Sequence, residues 1–322
     1  TILQALMNPI ASLVLIRMNG GTAMMRILGI VGVQICICVP IIVFQFCKGK
    51  EFFSKEYWGY ALRIGIPIVP HYLSGIILNQ GDRIMIDKMV GKTEVALYGL
   101  AYSIGMLVQL FISGMNSALT PWMYSKIKKG DIRSMRKVLQ LLSVVVVGIA
   151  VALMLISPEL VLIFGSPKYR EAVYVIPPVA ASVFFIFIYN ILSMPQFYYE
   201  KTQFLMAASM AAAGANVVLN FIFIRLFGYI AAGYTTLACY MLYSVGHYIV
   251  SKRILVNEGI QENLMSPGFL VACSVFLIGA SIICNLIFPY RILRYAILLA
   301  SAGLVFWKKE LLQKTMADIR KK

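Results

Sequence analysis

The sequence predicts an all-α protein, a polytopic bundle of about ten membrane-spanning helices. Hydrophobic residues make up 60% of the 322 positions and charged residues only 13%, and the mean hydropathy is +0.83. A soluble domain carries roughly twice that charged fraction. Apolar runs long enough to cross about 30 Å of hydrocarbon recur along the whole chain. The lipid bilayer is therefore the expected solvent for most of this protein.

The apolar runs follow one another with short links between them. They cover residues 1–16, 23–47, 57–80, 93–120, 136–164, 172–194, 202–224, 228–250, 266–288 and 290–307. No link is long enough to form a domain outside the membrane. Whatever the protein does must therefore depend on groups carried by the helices.

The distribution of lysine and arginine predicts how the helices are oriented. If the basic link 126–137 is cytoplasmic and the sides alternate, the cytoplasmic links and the C-terminal tail hold 18 of the 29 basic residues. The outer links hold ten, and Arg63 lies inside a run. This bias predicts a cytoplasmic C-terminus. It also attributes the net charge of +16 to contact with membrane lipids, and no nucleic-acid partner is expected.

The run beginning at Tyr57 is the one around which the other helices are expected to be arranged. It contains Pro67 and Pro70 together with the ionisable residues Arg63 and His71, and the charged pair Asp82 and Arg83 follows its end. The prolines are expected to kink this helix. Ionisable groups within membrane helices usually face a cavity and mark a transport path. A kinked packing helix, with Arg63 reaching the headgroups and Asp82 capping the helix, is the alternative that the residues leave open.

Two blocks of sequence carry a family resemblance. The first contains KGKEFFSKEYWGYALRIGIPIVPHYLSGIILNQGDRIMIDKMVG, then ALYGLAYSIGM and PWMYSKIKKGD; the second is AAAGANVVLNFIFIRLFGYIAAGYTTLACY. In order and spacing they resemble the polysaccharide-transporter (Wzx-type) flippases of the multidrug/oligosaccharidyl-lipid/polysaccharide exporter superfamily. The resemblance implies twelve to fourteen helices in two lobes around a central cavity, which opens alternately to the two sides of the membrane.

The resemblance also implies a cargo and a location. The cargo would be an undecaprenyl-diphosphate-linked oligosaccharide, flipped across the bacterial cytoplasmic (inner) membrane for the synthesis of a surface polysaccharide. A polysaccharide polymerase would be a candidate partner, and no cofactor is expected. Residues 1–55 would be a two-helix remnant of the N-terminal lobe and residues 56–250 the six-helix C-terminal lobe. Residues 251–322 would add two helices and a basic tail, and the chain would be N-terminally incomplete.

The candidate substrate-binding residues combine one cation, one histidine and four amides: Arg63, His71, Asn79, Gln80, Asn116 and Asn220. A guanidinium such as that of Arg63 suits a diphosphate, because it can donate two parallel hydrogen bonds. His71 could titrate and couple transport to protons, or bind a sugar, or simply pack. The amides could contact sugar hydroxyls or form interhelical hydrogen bonds, which are worth about 0.6–2 kcal/mol in membranes.

Two further sets of residues are expected to shape the movement of the lobes. Asp82 and Arg83 could form a gating ion pair that breaks as the lobes rock, or could cap the helix. Asn216 and Asn220 are four residues apart and share a helix face. The small residues that follow them, Gly228 and the run 231–233, would let helices approach closely.

Other functions fit the composition less well. The six cysteines have no metal or redox spacing, and two histidines are too few for a multi-histidine metal site. A cation-coupled drug antiporter would require carboxylates inside the membrane, and the apolar runs contain almost none away from their ends. A membrane glycan polymerase or glycosyltransferase would require a large aqueous loop or a carboxylate cluster, and the sequence shows neither. Transport without covalent chemistry is therefore expected.

Overall fold

The computed structural model describes residues 2–18, 22–50 and 53–307; the basic tail expected after Trp307 lies outside these residues. Within them the regular structure is helical, which confirms the all-α class. The α-helices are α1 (Ile2–Met18), α2 (Ala23–Gly49), α3 (Lys55–Met89), α4 (Lys92–Gly105), α5 (Leu107–Lys128), α6 (Ile132–Phe164), α7 (Ile176–Tyr198), α8 (Thr202–Phe227), α9 (Ala231–Asn257), α10 (Pro267–Ile287) and α11 (Arg291–Trp307). A 3₁₀ helix, Pro167–Val175, precedes α7.

The chain divides into two compact units, residues 1–63 and 64–322, with the boundary inside α3. In the first unit α1 packs against α2. A Cβ atom on Gly29 would lie 2.7 Å from the Cα atom of Ser12, so the two helices approach where glycine leaves room. The three-part organisation with boundaries near residues 55 and 250 stays a prediction.

The second unit is built around α7. This helix is apolar on nearly every side, as expected of a helix surrounded by others, and Phe184 and Phe187 are fully buried. It packs against α9, α6 and α5. A Cβ atom on Gly233 of α9 would lie 3.1 Å from Pro178 Cγ and 3.3 Å from the Val175 carbonyl oxygen. The small residues at the start of α9 thus bring it close to the N-terminal end of α7.

The run predicted as one helix over residues 93–120 is broken, so that prediction is wrong. Its two parts, α4 and α5, meet at an angle of 40° beside Met106. Gly105 lies at the break, and a Cβ atom there would be 2.7 Å from Val179 Cγ1 and 3.4 Å from the Ala180 amide nitrogen. Close packing of the break against α7 accounts for the glycine, and it could not be read from the local pattern.

Within the described residues, six helices are long and apolar enough to cross a membrane, or seven if α4 and α5 form one broken span. The sequence predicted about ten. The difference arises in part because α1 and α11 have only 17 residues each, and because α9, although 27 residues long, carries many polar side chains. Large apolar side chains are exposed along the spans, for example Val43 and Phe44 on α2. The protein is a multi-pass membrane protein.

Helix α3 differs from the expectation at its C-terminal end. The sequence predicted that Asp82 and Arg83 close the helix, but α3 continues to Met89. Pro67 and Pro70 lie inside it without ending it, and the kink stays a prediction. Asp82 and Arg83 are therefore residues of a helix interior, which changes what they can contact.

Candidate functional site

One face of α3 carries a carboxylate into the core of the second unit. Ser74, Leu78, Asp82 and Ile86 are spaced by four residues, so they share one helix face, and all four are buried. Asp82 is fully buried. The two ion pairs found in the described part of the chain, Lys126 with Asp131 and Arg294 with Glu159, do not involve it. The carboxylate is therefore held by neutral groups.

Three helices supply hydrogen-bond donors to Asp82. The Tyr98 hydroxyl of α4 donates to Oδ2 at 2.5 Å, and the Thr236 hydroxyl of α9 donates to the same oxygen at 2.6 Å. Asn220 Nδ2 of α8 donates to Oδ1 at 2.5 Å. Hydrogen bonds to a charged acceptor are shorter and stronger than those between neutral groups. Asp82 thus joins α3 to α4, α8 and α9 within the membrane-spanning region.

The side chains around Asn220 extend this arrangement. Asn220 Nδ2 lies 3.1 Å from Asn216 Oδ1, one turn earlier on α8, and the Thr235 hydroxyl donates to Asn220 Oδ1. Asn216 Nδ2 is buried and has no hydrogen-bond partner. We refer to the six residues as the Asp82 cluster: Asp82, Tyr98, Asn216, Asn220, Thr235 and Thr236. Its hydroxyl groups and the Asn220 amide nitrogen donate hydrogen bonds, and its carboxylate and amide oxygens accept them.

A neighbouring face of α3 lines a cavity of about 650 Å³, which we call the α3 cavity. Its lining residues are Tyr72, Gly75, Ile76, Asn79, Gln80, Arg83, Tyr102, Ser103, Met106 and Tyr189. Asn79 Oδ1 accepts hydrogen bonds from the Tyr102 hydroxyl at 2.7 Å and from the Tyr240 hydroxyl at 3.3 Å. The amides and phenols of this wall are groups that can bind hydroxyl-rich ligands.

Arg83 supplies the positive charge of the α3 cavity. Its Nη1 donates to Gln80 Oε1 at 2.7 Å, and the guanidinium carbon lies 5.0 Å from the centre of the Tyr102 ring. Its Nε is buried without a hydrogen-bond partner. A guanidinium held against an aromatic ring and one amide keeps further donors for an anion such as phosphate.

His71 does not line this cavity and lies instead beside the rings of Tyr243 and His247. It is half-buried, and its Nδ1 is 3.0 Å from the Tyr243 hydroxyl. Its ring centre is 6.5 Å from that of His247, a fully buried residue whose Nδ1 lies 2.8 Å from Gln196 Nε2. His71 on α3 and His247 on α9 thus lie close together, and the Tyr243 ring contacts both of their rings.

The structure separates the residues that the sequence grouped together. Asn79, Gln80 and Arg83 line the α3 cavity, whereas Asp82 and Asn220 form part of the buried cluster. Asp82 and Arg83 have different partners, since Asp82 accepts from neutral groups and Arg83 donates to Gln80.

The remaining two candidates lie elsewhere. Asn116, on α5, is half-buried, and its Oδ1 has no hydrogen-bond partner. It lines neither the α3 cavity nor the Asp82 cluster. Arg63 is an exposed residue of the first unit.

Several site residues were not singled out from the sequence. Tyr98 and Tyr102 are one turn apart on α4 and contact Asp82 and Asn79, respectively. Two hydroxyls at this spacing in an otherwise apolar helix are a signal that could have found them. Thr236 and Tyr240 of α9 show the same spacing. In the described part of the chain, no three His, Cys, Asp or Glu side chains lie together as a metal site would require.

Two families of known proteins match parts of the chain. The family described as polysaccharide biosynthesis protein matches residues 1–128, and the MatE family matches residues 67–222. Both are families of one superfamily of exporters, and their matches together run from residue 1 to residue 222. That superfamily is the multidrug/oligosaccharidyl-lipid/polysaccharide exporter superfamily, and the chain is similar to its families over these residues. The second match includes residues 67–89 of α3, all of α4 and most of α8, which hold most of the α3 cavity and much of the Asp82 cluster.

Two curated relatives are similar to the chain over about half of its length. A protein of the Lsg locus of Haemophilus influenzae is 28% identical over 172 residues, which are 50% of this chain and 41% of the relative. An uncharacterized membrane protein of the same organism is 29% identical over 167 residues, 48% of this chain and 40% of the relative. The matched part of the chain thus spans about two fifths of each relative. No solved structure matches the chain significantly.

Proposed function

We propose that the protein is a flippase that moves an undecaprenyl-diphosphate-linked oligosaccharide across the bacterial cytoplasmic membrane by alternating access. The observation that carries this proposal is the α3 cavity, in which Arg83 lies beside Asn79, Gln80 and Tyr102. A guanidinium suits the diphosphate, and amide and phenol groups suit sugar hydroxyls. Fixed donors of this kind can replace the water that surrounds the headgroup while the lipid tail stays in the bilayer.

The surroundings of the flippase follow from the proposal. The oligosaccharide would be delivered to a polymerase that builds a capsule, O-antigen or exopolysaccharide, and the C-terminus would be cytoplasmic, as the excess of basic residues on that side predicts. Arg63 remains a second candidate cation for the diphosphate. His71, Asn116 and Asn220 remain candidate contacts at other stages of transport.

The proposal is tested in the host by mass spectrometry of extracted lipids after deletion of the gene. We expect a lipid-linked oligosaccharide to accumulate with its headgroup facing the cytoplasm, and the full-length gene to reverse this. Full-length protein with Arg83→Ala should insert into the membrane but fail to reverse the accumulation, and Arg63→Ala should fail likewise. Lys88→Ala, an exposed cation on the same helix, is the matched control. An unchanged lipid-linked pool after deletion would contradict the flippase.

A cation-coupled drug antiporter is the second candidate, and Asp82 favours it. The expectation that the spans lack carboxylates away from their ends is wrong at this position, because Asp82 lies inside α3 and is fully buried. An intramembrane carboxylate is by default a candidate for proton or cation coupling. In proteoliposomes, Asp82→Asn should remove the dependence of transport on a proton or sodium gradient, whether the protein is a flippase or an antiporter. Transport of a cationic drug, rather than of the lipid-linked oligosaccharide, would decide for the antiporter.

A further inference from the structure

A second cavity lies at the C-terminal end of α6. It has a volume of about 710 Å³ and is formed by the end of α6, the 3₁₀ helix and the junction of α10 with α11. We call it the α6–α11 cavity. Five charged residues line it: Glu159, Arg170, Glu171, Arg291 and Arg294. It shares no lining residue with the α3 cavity, and the proposed flippase activity does not use it.

An ion pair forms the buried wall of this cavity. Arg294 Nη1 and Nη2 donate to the two carboxylate oxygens of Glu159 at 2.8 Å each, and Nη1 also donates to the Leu155 carbonyl oxygen at 2.6 Å. Arg294 is 3% exposed, and its Nε is buried without a hydrogen-bond partner. The pair holds α11 against α6 and is electrically neutral. The Nε–H group of Arg294 thus remains a buried donor without a partner in the described part of the chain, on a residue that lines the cavity.

The remaining charges favour an anion. Arg170 and Arg291 are exposed, and in the described part of the chain neither forms an ion pair. Three arginines and two glutamates give the cavity a net charge of 3 − 2 = +1. Arg291 is also the first residue of α11, a 17-residue helix whose N-terminal amides attract negative charge. Of the two lining carboxylates, Glu171 has no ion-pair partner among the described residues. Its negative charge offsets one of the two unpaired arginines, so the net charge of the cavity stays positive.

The surface beside the cavity is apolar. Leu162 is 53% exposed, Phe164 is 62% exposed and Ile292, next to Arg291, is 87% exposed. Exposed side chains of this kind belong in lipid, whereas arginines belong in the headgroup layer or in water. Arginines beside such an apolar surface are expected at the depth of lipid phosphates. Basic pockets between membrane helices bind lipid headgroups by this arrangement.

We propose that the α6–α11 cavity binds the phosphate group of a membrane lipid, with Arg170 and Arg291 donating hydrogen bonds to the phosphate oxygens. The guanidinium geometry allows two parallel bonds to such oxygens. The buried Arg294–Glu159 pair positions the start of α11 so that Arg291 faces the same cavity as Arg170. The acyl chains lie against the exposed apolar side chains of α6 and α11. A free phosphate ion shares this chemistry but gains nothing from the apolar surface.

The test is native mass spectrometry of the purified protein in detergent, titrated with phosphatidylglycerol. Arg170→Gln combined with Arg291→Gln should weaken lipid retention roughly 30-fold, the effect of removing two basic residues from a surface that contacts anionic lipid. Arg225→Gln, an exposed arginine at the end of α8, is the matched control and should bind as the wild type does. Both substituted arginines are exposed, so unchanged thermal unfolding is expected; if the double variant unfolds, the single variants are compared instead.

Two further titrations in the same experiment identify the ligand. Diacylglycerol, which lacks the phosphate, should not be retained, and equal retention of it would overturn the phosphate assignment. Inorganic phosphate should not displace phosphatidylglycerol at equal concentration. Binding of inorganic phosphate without retention of the lipid would assign the cavity to a free anion and overturn the lipid. Equal retention of phosphatidylglycerol by the double variant and the wild type would overturn the site itself.

Discussion

Asn220 of α8 donates a hydrogen bond of 2.5 Å to the carboxylate of Asp82 on α3, although 138 positions separate the two residues. Tyr98 and Thr236 complete the contacts of the same carboxylate from α4 and α9. One buried acidic side chain therefore links four helices by hydrogen bonds. A change in the charge of that carboxylate would alter its hydrogen bonds to all of these helices. Coupling between ion binding and helix movement requires such a shared group.

Replacing Asp82 is expected to lower stability. Asp82→Ala leaves the Tyr98, Thr236 and Asn220 donors buried without an acceptor, and we expect the free energy of unfolding to fall by about 1–3 kcal/mol. Unfolding in detergent, followed by circular dichroism, measures the change. Asp87→Ala, an exposed carboxylate on the same helix, is the control and should have no measurable effect. Equal stability of the two variants would show that the cluster does not hold the helices together.

The two tyrosines of α4 are expected to differ. Tyr98→Phe removes a donor to a carboxylate, and bonds to charged groups are worth about 1.5–3 kcal/mol. Tyr102→Phe removes a donor to the neutral Asn79, which keeps its bond from Tyr240, and should cost about 1 kcal/mol or less. Thermal unfolding of both variants gives the comparison. A larger loss for Tyr102→Phe than for Tyr98→Phe would contradict this ranking.

Gly105→Ala should destabilise the second unit. The added methyl group would lie 2.7 Å from Val179 Cγ1, and forcing extra volume into a packed core costs about 1–3 kcal/mol. Gly114→Ala on α5 is the control, since a Cβ atom there meets nothing within 4 Å. That variant should be neutral or slightly stabilising, because alanine favours helices over glycine by about 0.5–1 kcal/mol. The prediction fails if both variants unfold at the same temperature.

Glu159→Gln should loosen α11. The substitution leaves the guanidinium of Arg294 buried without its carboxylate, which costs about 3–5 kcal/mol in a fully buried pair. The Glu159 side chain is 25% exposed, so we expect a smaller loss of about 2 kcal/mol. Limited proteolysis near residues 288–291, together with thermal unfolding, would detect it. Glu262→Gln, an exposed carboxylate, serves as the control, and identical proteolysis of the two variants would contradict the role of the pair.

The sequence predicted Asn79 and Gln80 as substrate contacts and Arg83 as the partner of Asp82 in a gating ion pair. In the structure Asn79, Gln80 and Arg83 line one cavity, and Arg83 lies about one turn after the two amides on α3. Asp82 was paired with Arg83 in the prediction because they are neighbours in the chain. Neighbours on a helix point about 100° apart, and the structure places one in the core and the other at the cavity.

The sequence by itself determined that the protein is all-helical and where most helices run. In lipid each backbone amide must find its partner locally, so apolar composition and helix length are enough to fix these elements. The tertiary structure alone decided which polar groups meet. Tyr98, Asn220 and Thr236 reach Asp82 because the tertiary structure brings these side chains of α4, α8 and α9 to one face of α3. The α4–α5 break lies against Val179, which comes 74 positions after Gly105 in the chain. Such contacts depend on the shapes of helices far apart in the chain, and no local pattern encodes them.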